Sequence, residues 1–260
     1  MPGCDVIGFI EATPGTGTVY LNGALGERYY TTVADDITLK KSEPLNLYQV
    51  LYGAISTPNR ALLRAPSMRN VDFEDKKSVL LGSANPSPGI LDLRKLRYKL
   101  PSGDKLNALS VNATDEYNLI ALFLSSIPMD NLPAVDIDYI ITGLSPTNQA
   151  AATWTLGATV WNQTLPAGTY VPVYMQVWAA GASMAVARLQ LKKGDFHPGV
   201  PCSIMTAADT IAIASSDMDI YRLPLTKDHA FEHDAMPEIE TLANAVNTDY
   251  STVLGLKKIA

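Results

Sequence analysis

VDIDYIITGLSPTNQAAATWTLGATVWNQTLPAGTYVPVYMQVWAAGASMAVARLQL, residues 135–191, decides how the rest of the chain is read. From Tyr139 through Ala187 it carries no charged residue, and it holds all three tryptophans, Trp154, Trp161 and Trp178. A bilayer-spanning helix needs ~20 nearly uninterrupted apolar residues, and Pro146, Asn148, Gln149, Asn162, Pro166, Pro172 and Gln176 interrupt this run, so no transmembrane segment is expected. Val135, Ile137 and Tyr139 alternate against Asp136, Asp138 and Ile140, the period-two pattern of a strand with one dry and one wet face. Trp154, Leu156 and Ala158 alternate in the same way against Thr153, Thr155, Gly157 and Thr159. TYVPVYMQVWA (169–179) is rich in β-branched and aromatic residues, with Pro172 suited to an edge or a bulge. MAVARLQLKK (184–193) sets Met184, Val186 and Arg188 against Ala185, Ala187 and Leu189. The pattern predicts four consecutive antiparallel strands whose core contains Trp154, Trp161, Trp178 and Tyr170.

The flanking sequence extends this β-rich reading. CDVIGFIEA (4–12), TVYLN (18–22), ERYYTTV (27–33) and DITLK (36–40) read as short strands separated by turn residues at the spacing of a sandwich or barrel. SEPLNLYQVLYGAIS (42–56) predicts a short helix capped by Ser42, with Pro44 early and Leu47, Val50, Leu51 and Ala54 on one face. ANPSPG (84–89) marks a boundary, and ILDLRKLRYKL (90–100) predicts one strand with Leu91, Leu93, Lys95, Arg97 and Lys99 on a face. EYNLIALFL (116–124) suits either a buried strand or a helix, and its brevity favours the strand. CSIMTA, DTIAIAS and MDIYRLP (202–224) are further short strands. MPEIETLANAVN (236–247) predicts an amphipathic helix opened by Pro237, with Glu238 and Glu240 complementing the helix dipole. The expected organisation is a β-rich region over 1–88 with one short helix, a main β-sandwich core over 89–225, and a C-terminal helix and arm over 226–260. The 260 residues suffice for one large or two smaller antiparallel β-domains of sandwich or jelly-roll type.

Charged residues make up 18% of the chain, against a usual ~25%. A surface so poor in charge points to a chain that hides part of its exterior against copies of itself; the alternative is a monomer surfaced with Thr, Ser, Asn and Gln. The net charge of −6 is uneven: residues 60–105 hold ten Lys or Arg against five acids, and residues 195–260 hold four against ten. These segments complement one another, within a chain or between neighbouring copies. Nucleic-acid contact through 60–105 ranks below both, because no aromatic residues interleave with the basic ones. Two cysteines, Cys4 and Cys202, offer neither a disulfide framework nor metal-ligand spacing. No basic region followed by an apolar run opens the chain, so no secretion signal is expected, and the sequons at Asn112 and Asn162 read as chance.

The sharpest chemical motif is His229-Ala230-Phe231-Glu232-His233, which fits the H-x-x-E-H pattern of zinc proteases. Only 27 residues follow it, Asp228 and Asp234 flank it, and no long apolar helix surrounds it, so a solvated polar segment is expected. Paired acids occur at Asp35/Asp36, Asp136/Asp138 and Asp217/Asp219; surface alternation explains them as well as catalysis or calcium would. No nucleophile elbow or phosphate loop is present, and no catalytic residue, cofactor or metal is expected.

LPAGTY (165–170), the Ala-rich strand ending at Ala187-Arg188-Leu189, His197-Pro198-Gly199-Val200-Pro201 and Met236-Pro237-Glu238-Ile239-Glu240 are similar in style to capsid proteins of prokaryotic viruses. The resemblance covers about the last 130 residues. It implies a coat protein of the β-sandwich or jelly-roll kind, made in host cytoplasm and resident in the virion. Its partners are then copies of itself and other virion proteins. Ile239, Leu242, Val246 and Leu254 are the expected assembly arm. The alternatives are a carbohydrate- or surface-binding β-module with exposed Trp and Tyr as a stacking platform, and a β-rich hydrolase using Asp136/Asp138 or His229/His233.

Overall fold

The computed structural model describes residues 3–11, 17–24, 31–33, 36–39, 43–54, 60–64, 78–79, 89–96, 98–112, 118–145, 151–180, 185–191, 196–205, 211–212, 218–243 and 250–260. The first half contains β1 (Cys4–Glu11), β2 (Gly17–Gly23), β3 (Thr31–Val33), β4 (Asp36–Thr38), β5 (Leu45–Ala54), β6 (Arg60–Arg64), β7 (Ser78–Val79), β8 (Gly89–Asp92), β9 (Tyr98–Leu100), β10 (Lys105–Asn112) and β11 (Asn118–Ser125). One layer runs β1-β11-β5, with β8 and β9 end to end along the far edge of β5; the other joins β2, β10, β6 and β7, with β3-β4 against one end of β10. A short β1–β2 ladder at Phe9↔Gly23 and Ile10↔Asn22 connects the layers.

The second half contains β12 (Tyr139–Ser145), β13 (Thr155–Gly157), β14 (Val160–Trp161), β15 (Thr169–Ala180), β16 (Ala185–Gln190), β17 (Gly199–Pro201), β18 (Ser203–Met205), β19 (Ile211–Ala212), β20 (Phe231–Glu232), β21 (Glu238–Ala243) and β22 (Tyr250–Lys258). A seven-stranded sheet runs β14-β12-β22-β15-β18-β19 with β20 also on β15, and a four-stranded sheet runs β13-β21-β16-β17. The four expected strands of 135–191 are therefore not neighbours in sequence order. β22 lies between β12 and β15, and β21 lies between β13 and β16. The register along β15 shifts between Pro172 and Tyr174, where proline has no N–H to give the ladder.

Three apolar clusters fill the spaces between four layers. The first lies between the two layers of the first half and takes Ile7, Phe9, Leu21, Leu106, Ile120 and Leu122. The third lies between β1-β11-β5 and the four-stranded sheet, joining Val6, Ile10, Leu119, Phe123, Val186 and Leu242. The second lies between the four- and seven-stranded sheets, with Met175, Val177, Ala187, Ile239, Tyr250 and Leu254. Side chains alternate across a strand, so β1 sends Ile7 and Phe9 into one core while Cys4, Val6 and Ile10 enter another. Inner strands buried on both faces read as continuous apolar text, as in EYNLIALFL, where β11 lies.

That double burial corrects two expected helices. Leu45 to Tyr52 are all buried, including Asn46 and Gln49; with no wet face, β5 satisfies a helical spacing as readily as a strand spacing, and its ladders to β11 and β9 decide for the strand. The C-terminal helix is likewise absent: Glu238–Ala243 is β21, paired with β13 and β16. Among the described residues there is no α-helix, only 3₁₀ turns at Arg94–Leu96, Met218–Tyr221 and Lys227–His229. The first of these breaks the single strand expected over 90–100 into β8 and β9. No helix among the described residues is long and apolar enough to cross a membrane. The division expected at 88/89 falls inside the first sheet, which takes strands from both sides of it, and residues 226–260 supply β20, β21 and β22 to the second-half sheets.

Candidate functional site

Two surfaces of the sheets carry the polar and apolar features that distinguish this chain. The first is the seam where β1 meets the four-stranded sheet. Arg188 on β16 stands opposite Glu240 on β21, and its Nε donates to Glu240 Oε2 at 2.8 Å with both side chains buried. Arg188 Nη1 donates across the seam to the Val6 carbonyl at 3.0 Å, and the guanidinium lies 3.8 Å from the ring centroid of Trp154. A planar cation thus ties together both halves of the chain while an aromatic face and a carboxylate compensate its charge. Gly8 permits the close approach, because a Cβ there would collide with Leu242.

Two further polar contacts cross the same seam. The Cys4 N–H donates to His229 Nε2 at 3.1 Å, and the His197 N–H donates to the buried Asp5 carboxylate at 2.7 Å. His229 is completely buried, and loss of hydration pushes its pKa down to about 3. The neutral ring therefore accepts at Nε2 and carries its proton on Nδ1, which meets no partner among the described residues.

The second surface is the outer face of the seven-stranded sheet. Ladder registers place Ile140, Thr142 and Leu144 of β12 beside Gly255, Val253 and Ser251 of β22, and those beside Tyr174, Gln176 and Trp178 of β15. Val160 of β14 pairs beyond Leu144. None of these ten residues is charged, and Ile140, Leu144 and Val160 are 63%, 39% and 61% exposed.

The expected core residues divide between these places. Trp154 is buried in the seam and Tyr170 in the second core, where its hydroxyl donates to the Pro166 carbonyl at 2.6 Å. Trp161 is half-buried and donates from Nε1 to the Pro237 carbonyl at 3.1 Å; Trp178 is half-buried on the outer face. Of the expected arm residues, Ile239, Leu242 and Leu254 are fully buried within the chain, and Val246 lies outside the described residues. The arm segment is the interior strands β21 and β22, because its apolar side chains pair inside this chain's own sheets.

The H-x-x-E-H residues do not converge. His229 ends a 3₁₀ turn and points into the seam, Glu232 accepts from Thr169 Oγ1 at 3.0 Å on β20, and His233 follows in a turn. Among the described residues no three His, Cys, Asp or Glu side chains gather as a metal site. Asp138 is held by Lys257 Nζ at 3.0 Å and the Lys258 N–H at 2.8 Å. These bonds lower its pKa, the Lys258 backbone contact contributing most. Asp36 accepts from Asn107 Nδ2, Asp136 and Asp219 are exposed, and Asp35 and Asp217 lie outside the described residues. Cys4 and Cys202 are buried free thiols, and burial pushes both pKa values up, that of Cys4 to about 12.

Sequence reasoning missed the Arg188–Glu240 pair, although Arg188 shares strand parity with the apolar Val186. The partner sits 52 residues away, and only the β16–β21 register identifies it. Set against known proteins, the sequence matches no protein-family model, and no curated protein matches it significantly.

Proposed function

We propose that this chain is a shell-forming structural protein, a viral capsid protein built from two jelly rolls in tandem. The observation that carries the reading is the strand order, repeated in both halves. A jelly roll is a long eight-stranded hairpin, with pairs 1–8, 2–7, 3–6 and 4–5, rolled so that strand 8 meets strand 3 and strand 7 meets strand 4. In the first half the hairpin pairs are β1·β11, β2·β10, β5·β8/β9 and β6·β7, and the rolled contacts are β11·β5 and β10·β6, all antiparallel. The second half supplies β12·β22, β13·β21 and β16·β17, with rolled contacts β22·β15 and β21·β16. Its 3–6 pair is β15 with the segment Arg222 to Glu232, through the Tyr174↔Arg222 bridge, the Leu223 N–H to the Val173 carbonyl at 3.0 Å, and β20.

Fold alone does not give function, since jelly rolls also serve lectins and cupins. Three features favour a shell. Both interiors are filled by apolar side chains. Charge is scarce over the whole chain. The two units also stack through unlike faces: the 1-8-3-6 face of the first meets the 2-7-4-5 face of the second. Such head-to-tail packing leaves one face of each kind outward, and contacts of that type between copies close into rings or extend. The outer face of β12, β22 and β15, free of charge from Ile140 to Leu144 and along their ladder partners, with the Asp138–Lys257 pair at its end, is the free 1-8-3-6 face. On this reading it meets another copy, and the capsid forms by many modest contacts multiplied by symmetry. The chain performs no catalysis on this reading.

Electron microscopy and light scattering of the purified protein test the proposal. Regular closed particles or discrete rings are the expected result. A strict monomer up to millimolar concentration overturns it.

A further inference from the structure

Where the two units and the segment joining them come together, the surface opens into two adjoining cavities of about 350 Å³ each. They share Asp219 and Arg222, which stand on the divide. One cavity is polar. Asp92 and Arg94 come from the end of β8 and the 3₁₀ turn after it, and Asp130 and Asn131 from the joining segment. The other is apolar and is walled by Val135, Ile137, Val173, Leu223 and the half-buried ring of Tyr174.

The polar groups are held in place before any ligand arrives. Arg94 binds Asp92 through two parallel contacts, Nε to Oδ1 at 2.9 Å and Nη2 to Oδ2 at 2.7 Å. Arg222 Nη2 donates to the carbonyls of Leu132 and Pro133 at 3.2 and 2.6 Å. Asp219 stands between the two guanidiniums, 3.9 Å from Arg94 Nη1 and 3.6 Å from Arg222 Nη1, and its side chain is 59% exposed. The result is a line of carboxylate, guanidinium, carboxylate and guanidinium fixed by internal pairing, which lowers the entropy cost of engaging a ligand.

This lining selects a chemical class. Three carboxylates (Asp92, Asp130, Asp219) balance three cations (Arg94, Lys95, Arg222) in the polar part, so no single-sign field draws a polyanion or polycation. Alternating fixed acceptors and donors match vicinal hydroxyls, each of which gives and takes a hydrogen bond. The adjoining apolar wall with an aromatic ring suits the C–H face of a sugar. The combined volume lies in the ordinary range for a small ligand, ~300 to 1,000 Å³. We propose that this two-part cleft between the units is a saccharide-binding site for an uncharged oligosaccharide. The polyol edges lie along Asp92, Arg94, Asn131 and Asp219, and a ring face lies against Tyr174. Every lining residue belongs to a single chain, and because Tyr174 also stands on the outer face of the seven-stranded sheet, the site is open in the unassembled chain.

The test is a glycan microarray of several hundred structures probed with the labelled full-length chain, followed by calorimetric titration of the strongest neutral glycan. Asn131→Ala and Asp219→Asn alter exposed side chains and should leave the melting temperature unchanged. Each should weaken the titrated glycan about tenfold, the loss of one hydrogen bond to a charged or fixed group. Tyr174→Phe should bind normally and Tyr174→Ala should not. An array with no neutral glycan above background overturns the proposal. So does a glycan whose affinity survives both Asn131→Ala and Asp219→Asn, since it then binds elsewhere.

Discussion

β1 and β12 hold the same place in the two halves, each flanked by the last strand of its own unit, yet their outer faces meet different surroundings. Cys4, Val6 and Ile10 of β1 are between 0 and 4% exposed under the four-stranded sheet. Ile140 and Leu144 of β12 remain 63% and 39% exposed. Neither set contains a charge. A first strand that presents apolar side chains outward in both units but is covered in only one marks where the chain's own packing ends. It also shows that the first unit depends on the second to cover β1, β11 and β5.

That dependence is broken most severely by truncation after Asp234. The cut removes β21 and β22, which lie between β13 and β16 and between β12 and β15. The second unit then has no continuous sheet, and the β1 face loses its cover. The expected loss exceeds the whole stability of an ordinary domain, ~5 to 15 kcal/mol. Limited proteolysis and circular dichroism should show no folded second unit; a protease-resistant product with native strand content would contradict the topology.

Within the seam, Trp154→Ala removes a 2% exposed indole and should cost ~3 to 5 kcal/mol in urea unfolding. Arg188→Met leaves Glu240 buried without its guanidinium and should cost ~3 to 5 kcal/mol, much of it recovered in the Arg188→Met/Glu240→Leu double variant. Equal stability of the single and double variants would mean that the pair does not act as a unit.

His229 makes the seam sensitive to acid. Its folded pKa of about 3 lies below the ~6.5 of an unfolded histidine, so between these values the unfolded chain binds the extra proton. The stability is intact above pH ~6.5, falls as the pH drops below it, and has lost ~3 kcal/mol by pH 4.5 from this residue. His229→Gln keeps an acceptor for the Cys4 N–H and should flatten that part of the profile. Unchanged pH slopes in the two proteins would remove His229 as the cause.

The strands of this fold were largely readable from alternation, because period two survives wherever one face is wetter, as in YMQVWA (174–179) of β15, whereas VDID (135–138), expected as strand, precedes β12 and leaves Ile137 exposed. Even the exposed face was readable: Ile140 continues the wet parity of Asp136 and Asp138. Two things were hidden. In β5 both faces are dry, so parity vanishes and helical spacing fits by coincidence. In β21, Glu240 fitted the first turn of a helix, because its partner Arg188 is supplied by a distant strand. Pairing order is non-local in these sheets, and a single sequence gives no register between segments so far apart.

The smallest expected effect on stability isolates the uncovered face. Ile140→Asp and Val160→Asp each change a side chain more than 60% exposed, away from every core, and should leave monomer stability within ~0.5 kcal/mol. Val6→Asp, on the covered face of β1, puts a carboxylate into a face with 1% exposure and should prevent folding, because the guanidinium beside it, Arg188, is already paired with the buried Glu240 and the added desolvated charge goes uncompensated. If the β12 face meets another copy, the two outer variants bury the same uncompensated charge only on association. They should then fold normally, melt normally and form no particles in electron microscopy. Particles of normal size and yield from the double variant Ile140→Asp/Val160→Asp would show that copies associate through other surfaces, leaving this face as plain solvent-exposed sheet.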